Sequence, residues 1–320
     1  MQATAIAQPN IALIKYWGKR DVDRNLPAVG SISITLSDLY TEVDVELRAS
    51  MRSDTLLVNG KNNDAMRPRI SACLDKVIGA ERLCARISSR SNFPISAGLA
   101  SSASAFAATT VAAASAAGRS LGIEELARLA GSSSGSAARS LYGGFAELKN
   151  AGDTIDLTSL CDVDVWPLQV VVAITATEAK ATGSTEAMQI SRDTSPFYAS
   201  WIEQQKHDLD IARNAIVRRD FKQLGEIAEH NCLKMHSVMW ASRPPMVFWN
   251  AATMRCLQTV RQLHGEGCDV FFTIDAGPQV KAICLPKDVD VVRQALAGTP
   301  GVIEIMTSGL GPAARLITES

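Results

Sequence analysis

Residues 31–48, SISITLSDLYTEVDVELR, alternate apolar and polar positions in two stretches, the period of a strand whose side chains point to opposite faces. The Asn-Gly of VNGK (58–61) marks a tight turn after them. Residues 68–89 then open on a proline, continue with helical spacing and finish as a strand in CARISS. SNFPISAGLASSASAFAATTVAAASAAG (91–118) breaks with everything before it. It is a Pro/Ser/Gly loop running into an alanine-rich helix, small on every side and therefore stable only when buried all round. A short helix over 123–130 leads to a second Ser/Gly loop, GSSSGSAARSLYGG (131–144), and a strand in FAEL.

The second half opens on QVVVAITA (169–176), an apolar run that reads as a strand. Helices follow through 196–230 with charges spaced i, i+4, and PPMVFWNAATMRCLQTVRQL (244–263) reads as a helix after a Pro-Pro stop. Strands in DVFFTI (269–274) and KAICL (281–285) precede a helix in DVDVVRQALAG (288–298). Strands and helices in this order in both halves predict an α+β protein with helices packed on sheets. A chain of 320 residues can bury two cores. The polar stretch AGDTIDLTSLCDVDVWP places the boundary between them near 150–168, and no internal repeat is present.

Composition narrows the class. The chain is 47% hydrophobic and 20% charged with a net charge of −1, so nothing draws it generally to nucleic acid or an anionic membrane. No apolar run reaches the length of a membrane span, and no secretory leader is evident. Its 7 cysteines show no CxxC pair, and its 4 histidines form no HExxH pattern. Reduced thiols in a cytoplasm are the expectation.

Four segments carry candidate chemistry. FFTIDAGPQV (271–280) ends a buried strand on Asp275, which is either a turn cap or an acidic group held where water is scarce. NIALIKYWGKR (10–20) reads as a strand with Lys15 in its middle, and an interior lysine is costly unless it snorkels to an edge or faces an anion. SAGLASSAS (96–104) puts backbone N–H groups and hydroxyls at a helix start, which suits a phosphate cradle as well as a tight cap. SGSAARS (134–140) sets Ser134, Ser136 and Arg139 on one turn, a fork for phosphate or carboxylate or simply a structural arginine.

Taken in order and at their spacings, QPNIALIKYWGKR, NFPISAGLASSAS, GSAARSLYGG and TIDAGP resemble the mevalonate diphosphate decarboxylases of the GHMP kinase superfamily. AKATGSTEAMQ (179–189) and SGLGPAARL (308–316) extend the resemblance over nearly the whole chain. It implies a GHMP kinase fold. Residues 1–165 would form an ATP-binding half like ribosomal protein S5 domain 2, and 166–320 a ferredoxin-like half, with the site in the cleft between. It further implies Asp275, Lys15 and Arg139 as catalytic residues, Arg139 also holding substrate. Tyr16, Lys19, Arg69, Ser136, Ser184 and Met188 would contact substrate. The nucleotide loop would be Ser96, Ala97, Gly98, Leu99, Ala100, Ser101 and Ser102.

The implied reaction converts ATP and mevalonate 5-diphosphate to isopentenyl diphosphate, ADP, phosphate and CO2 within isoprenoid synthesis. ATP and Mg2+ would be its cofactors, no metal ligand is named, and a homodimer is expected. Two departures bear on the substrate. Val29 and Gly30 in LPAVGSIS replace polar residues of the family pattern, and Gln279 replaces the asparagine of DAGPN. They leave open a mevalonate 5-phosphate substrate, or a kinase that stops once the C3 hydroxyl is phosphorylated.

Overall fold

The structure is a computed structural model that describes residues 1–93, 101–178 and 182–317. Three sheets of four or more strands organise those residues. The first runs, edge to edge, Arg315–Ile317, Gln2–Ala7, Thr41–Arg48, Cys84–Ser91, Thr55–Val58 and Lys61–Asn62. Its one parallel pairing joins Thr55–Val58 to Cys84–Ser91. The second, in the order Thr154–Cys161, Phe145–Ala151, Ser31–Thr35 and Asn10–Ile14, is antiparallel throughout. The third, also antiparallel, orders Val270–Thr273, Val280–Cys284, Gln169–Ile174 and Glu304–Gly309.

Helices α1 (Arg67–Ile78), α2 (Ser101–Ala116) and α3 (Ile123–Ser133) belong to the first half. The small residues of α2 let it lie close between the first sheet and α1, and Ala107, Ala108, Ala112 and Ala113 are fully buried there. Its threonines do not strand a polar group, because the Thr109 and Thr110 hydroxyls donate to the carbonyls of Ala105 and Phe106. The second half holds α4 (Ser184–Thr194), α5 (Tyr198–Arg218), α6 (Phe221–Trp240), α7 (Ala251–Gly265) and α8 (Val289–Ala297).

The third sheet is buried on both faces, as its unbroken apolar runs require. Val170, Val172 and Ile174 join Ile11, Ile32 and Ile34 of the second sheet in one core, while Val171 and Ala173 pack with Leu257, Val260 and Val292 in another. The first of these cores fuses the two halves. The chain also crosses back, since Arg315–Ile317 pairs with Gln2–Ala7 of the first sheet.

Three local expectations are revised. Thr154–Cys161 is a strand in a hairpin with Phe145–Ala151 rather than a linker; its polar residues are the wet face, and Ile155 is buried. Within 131–144 the first residues extend α3, and Ala137–Leu141 forms a 3-10 helix. The helix expected from 244 begins only at Ala251, where Asn250 and Thr253 close a capping box. Ser31–Thr35 is the strand its alternation predicts, with all five residues buried. Its hydroxyl face looks toward the site described next.

Candidate active site

A cleft of about 1240 Å³ opens among the ends of these elements and is lined from both halves of the chain. Among the described residues, every expected site residue lies on its wall: Lys15, Tyr16, Lys19, Arg69, Ser101, Ser102, Ser136, Arg139, Ser184, Met188 and Asp275. Ser96, Ala97, Gly98, Leu99 and Ala100 lie outside the described residues.

Lys15 is not in mid-strand. The strand ends at Ile14, and the backbone of Lys15 leaves the ladder for side chains of the second half. Its N–H donates to Asn231 Oδ1 (2.8 Å) and its carbonyl accepts from Gln205 Nε2 (2.7 Å). Asn231 donates in turn to Gln205 Oε1 and to Asp208 Oδ2, so α5 and α6 together fix where Lys15 departs. Its ammonium, only 1% exposed, donates to the carbonyl of Ala12 and to Asp275 Oδ1, each at 2.8 Å.

Asp275 follows the strand Val270–Thr273 at the turn into Val280–Cys284. Its second oxygen faces Lys281 Nζ at 3.2 Å, from the middle of the sheet. Burial pushes the carboxyl upward, but Lys15 and then Lys281 outweigh it and hold the group well below the usual carboxylate range. A partly exposed carboxylate pinned between two buried ammonium groups is the floor of the cleft.

Arg139, 2% exposed, is carried by the 3-10 helix. It donates to Ser31 Oγ (2.6 Å) and to Asn10 Oδ1 (3.3 Å), and its guanidinium lies over the Tyr16 ring, 5.8 Å from the centroid. Those bonds use two of the five N–H donors a guanidinium offers. Burial lowers its pKa to about 10, which leaves it cationic at neutral pH. The Asn10 amide donates to the Ser136 carbonyl and the Ser140 hydroxyl, binding the serine turn to the strand. Tyr16 packs so closely on Gly135 that a Cβ there would collide with its phenol. Among the described residues the buried Tyr16 hydroxyl has no hydrogen-bond partner, an orphan donor at the cleft wall. Burial raises its pKa, so it is a neutral donor across the working range.

The outer wall is cationic. Lys19 donates to Thr185 Oγ1 (2.9 Å) at the start of α4, and burial followed by the nearby Arg69 lowers its pKa. The Arg69 guanidinium sits 5.1 Å from the Phe106 ring centroid. Two neighbouring cations at a cleft are a ready seat for a polyanion. Met188 and the first residue of α4, Ser184, form the facing wall. Among the described residues no group of three or more histidine, cysteine or acidic side chains could hold a metal ion.

Sequence reasoning missed Lys281, although KAICL carries the same signal as the first strand, a lysine inside an apolar run. It also missed Asn10 and the Gln205–Asp208–Asn231 cluster, which read as ordinary polar positions. His236, buried on α6 with Nε2 3.3 Å from both Trp249 Nε1 and the Ile274 carbonyl oxygen, gave no motif. Burial, then Lys15, lowers its pKa to about 3 and keeps it neutral.

The departures at Val29, Gly30 and Gln279 are not on the cleft wall. Val29 packs with Trp17, Ala187 and Trp201. A Cβ on Gly30 would stand 2.8 Å from the Leu148 carbonyl oxygen. Gln279, 1% exposed, accepts from the Thr175 N–H and donates to the Ala176 carbonyl, tying the strand Gln169–Ile174 to the turn after Asp275. All three are packing positions, so the motive for a different substrate falls away.

Residues 7–161 match the family model of the diphosphomevalonate decarboxylase-like N-terminal domain, and residues 170–305 that of the mevalonate 5-diphosphate decarboxylase C-terminal domain. The diphosphomevalonate decarboxylase of Candida albicans is 32% identical, across 99% of this chain and 98% of its own length. The human enzyme of that name is 32% identical across 89% of this chain and 77% of its own. The structure of mevalonate diphosphate decarboxylase from Staphylococcus aureus superposes with a TM-score of 0.92 at 33% identity, covering 99% of this chain and 98% of that one. Another neighbour, a complex with MVAPP, AMPPCP and magnesium, superposes with a TM-score of 0.92 at 32% identity over 100% and 99% of the two chains.

Proposed function

The chain belongs to the diphosphomevalonate decarboxylase family, and we propose that the floor of its cleft performs the reaction with Asp275 as base, Lys15 as its partner and Arg139 as the substrate's anchor. It is an ATP- and Mg2+-dependent carboxy-lyase of the mevalonate pathway, turning mevalonate 5-diphosphate into isopentenyl diphosphate, ADP, phosphate and CO2. The observation that carries the residue roles is the ionised Asp275 between two buried lysines, facing the cleft beside Arg139.

A tertiary C3 hydroxyl is a poor nucleophile and a poor leaving group. Phosphoryl transfer cures the second fault, and Asp275 assists the first by accepting the hydroxyl proton. A carboxylate held so acidic cannot deprotonate a free alcohol in advance. The proton therefore moves late, once the new O–P bond has made the hydroxyl oxygen acidic. Lys15 holds the carboxylate's direction and offers positive charge to the transferring group. Phosphate then leaves C3, the C1 carboxylate departs as CO2, and its bonding electrons form the alkene. Arg139, itself held by Ser31 and Asn10, anchors that carboxylate in a dry corner beside Tyr16, where fixed dipoles act strongly.

Lys19, Arg69 and Ser136 suit the 5-diphosphate, with Ser184 and Met188 closing the side toward α4. Ser96 to Ser102 are assigned to the nucleotide phosphates, as hydroxyls and N–H groups at a helix start favour. Ser101 and Ser102 fit phosphate oxygens better than a bare cation, so Mg2+ would be held chiefly by the nucleotide. Bound there it neutralises charge on the phosphates.

A division into 1–165, like S5 domain 2, and 166–320, ferredoxin-like, is supported by the gap between the two family matches at 161 and 170. A cytoplasmic homodimer completes the reading, and sedimentation of the purified chain tests the dimer. The function is tested by following ADP and CO2 together with mevalonate, its 5-phosphate and its 5-diphosphate. Both products should appear in equal amounts with the diphosphate alone. ADP without CO2 would make the chain a C3 kinase.

A further inference from the structure

Lys281 occupies a place that the catalytic scheme does not use. It stands on the strand Val280–Cys284, in register with Thr273 on one side and Val172 on the other, between Val280 and Ala282. A lysine 1% exposed in the middle of a sheet is costly unless an anion compensates it. Asp275 compensates it, with Oδ2 at 3.2 Å. Unlike Lys15 and Asp275, Lys281 does not line the cleft. It meets the carboxylate from the sheet rather than from the cleft.

We propose that Lys281 is a positioning residue: it holds the second oxygen of Asp275 from inside the sheet, so that the carboxylate stays ionised and aimed into the cleft. The proposal rests on the reading of Asp275 as the base. With Lys15 on Oδ1 and Lys281 on Oδ2, rotation of the carboxylate would break an ion pair on either side. The triad also carries one positive charge in excess, which favours the phosphoryl group and the substrate carboxylate that must collect above it. Either lysine alone would balance Asp275; the second tips the sign.

Charged and titratable groups face Asp275 from several elements. They are Lys15, Lys281, Arg139 on the 3-10 helix, and Cys232 and His236 on α6. Burial lowers the pKa of His236 to about 3 and raises that of Cys232, so neither takes up charge in the working range. Lys281 also lowers the His236 pKa, so a displaced acid limb that persists in a His236→Asn background reports Asp275.

The test compares Lys281→Met and Lys281→Arg with the unaltered chain, reading kcat, substrate dissociation constant and pH profile. In Lys281→Met kcat should fall about ten- to a hundredfold while substrate binding changes less than about threefold. The acid limb of kcat should move to higher pH by about one unit or more, because a carboxyl that loses a cationic neighbour binds its proton more tightly. Lys281→Arg should return the limb toward its original place. A fall in kcat with the limb unmoved would make Lys281 merely structural, and a normal kcat would overturn the proposal outright.

Should Lys281→Met fail to fold, the Asp275→Asn background decides. There Lys15 and Lys281 have lost the carboxylate they share, and adding Lys281→Met should raise the thermal midpoint. A lowered or unchanged midpoint would contradict the pairing. Turnover surviving in Asp275→Asn alone would remove the base itself, a failure distinct from an unmoved limb.

Discussion

Asp54 and Asp275 are both unusually strong acids, and of the two only Asp275 faces the cleft. Asp54 receives Arg82 through two hydrogen bonds of 2.9 and 2.6 Å and the N–H of Ala85 at 2.7 Å, with both side chains nearly covered. Burial works against its ionisation, but Arg82, Ser71 and Ala85 prevail and bring its pKa to about 2. Asp275 is depressed further by Lys15 and Lys281. A shifted carboxyl is thus no mark of catalysis in itself. The balance of charge and the view separate the two. Arg82 is also shared with Asp75, 2.9 Å away, so that cluster is rich in anions and closed upon itself. Asp275 is outnumbered by cations and one side of it is open.

Exchanging the residues around each cluster should break the two in different ways. Apart from loss of the base itself, the largest effect is expected from Arg139→Ala, which removes the guanidinium beside the catalytic floor. Use of mevalonate 5-diphosphate should fall by about a hundredfold or more in kcat/KM, while ATP binding changes less than about threefold. Calorimetric titration with each ligand checks this; equal losses for both would assign Arg139 to the fold.

Asp54→Asn should do the reverse, leaving kcat within about twofold and costing about 1–3 kcal/mol of stability by leaving Arg82 with Asp75 as its one carboxylate. The sign of its pH dependence follows from the depressed pKa. The folded group titrates at about 2 against an ordinary 3.8, so its contribution is complete above that ordinary value and fades as pH falls toward 2. Thermal melts should therefore show the gap between Asp54→Asn and the unaltered chain narrowing over that window.

The smallest effect belongs to Gln279→Ala. It leaves the Thr175 N–H without its acceptor and should cost about 1–2 kcal/mol in denaturant titrations. The preference for diphosphate over monophosphate should not change; a change would bring Gln279 back to the substrate.

Much of the site was legible because its residues stand out locally. Asp275 ends an apolar strand, Lys15 follows one, and Arg139 sits in a serine-glycine turn, each at odds with the small or apolar residues around it. What local sequence does not carry is which charge meets which. Lys281 stands out among apolar neighbours as plainly as Lys15 does, yet nothing within KAICL names Asp275 as its partner. Gln205, Asp208 and Asn231 read as the wet side of amphipathic helices, and only tertiary packing turns them onto the backbone of Lys15. The hairpin strand Thr154–Cys161 was misread for a related reason, since a strand wet on one face and short of apolar residues resembles a linker. Val29 and Gly30 erred the other way. Their departure from the family pattern suggested altered substrate contacts, but close packing against Trp17 and Leu148 explains both.

The most direct test of Asp275 as the base is a single turnover of Asp275→Asn with ATP and mevalonate 5-diphosphate, with ADP and CO2 measured on the same samples. Asparagine keeps the shape of the side chain and loses the charge and the capacity to accept the proton. Binding of both ligands should survive, while ADP and CO2 formation fall together by about a hundred- to ten-thousandfold. Turnover within about tenfold of the unaltered chain would contradict the assignment and move the base elsewhere in the cleft.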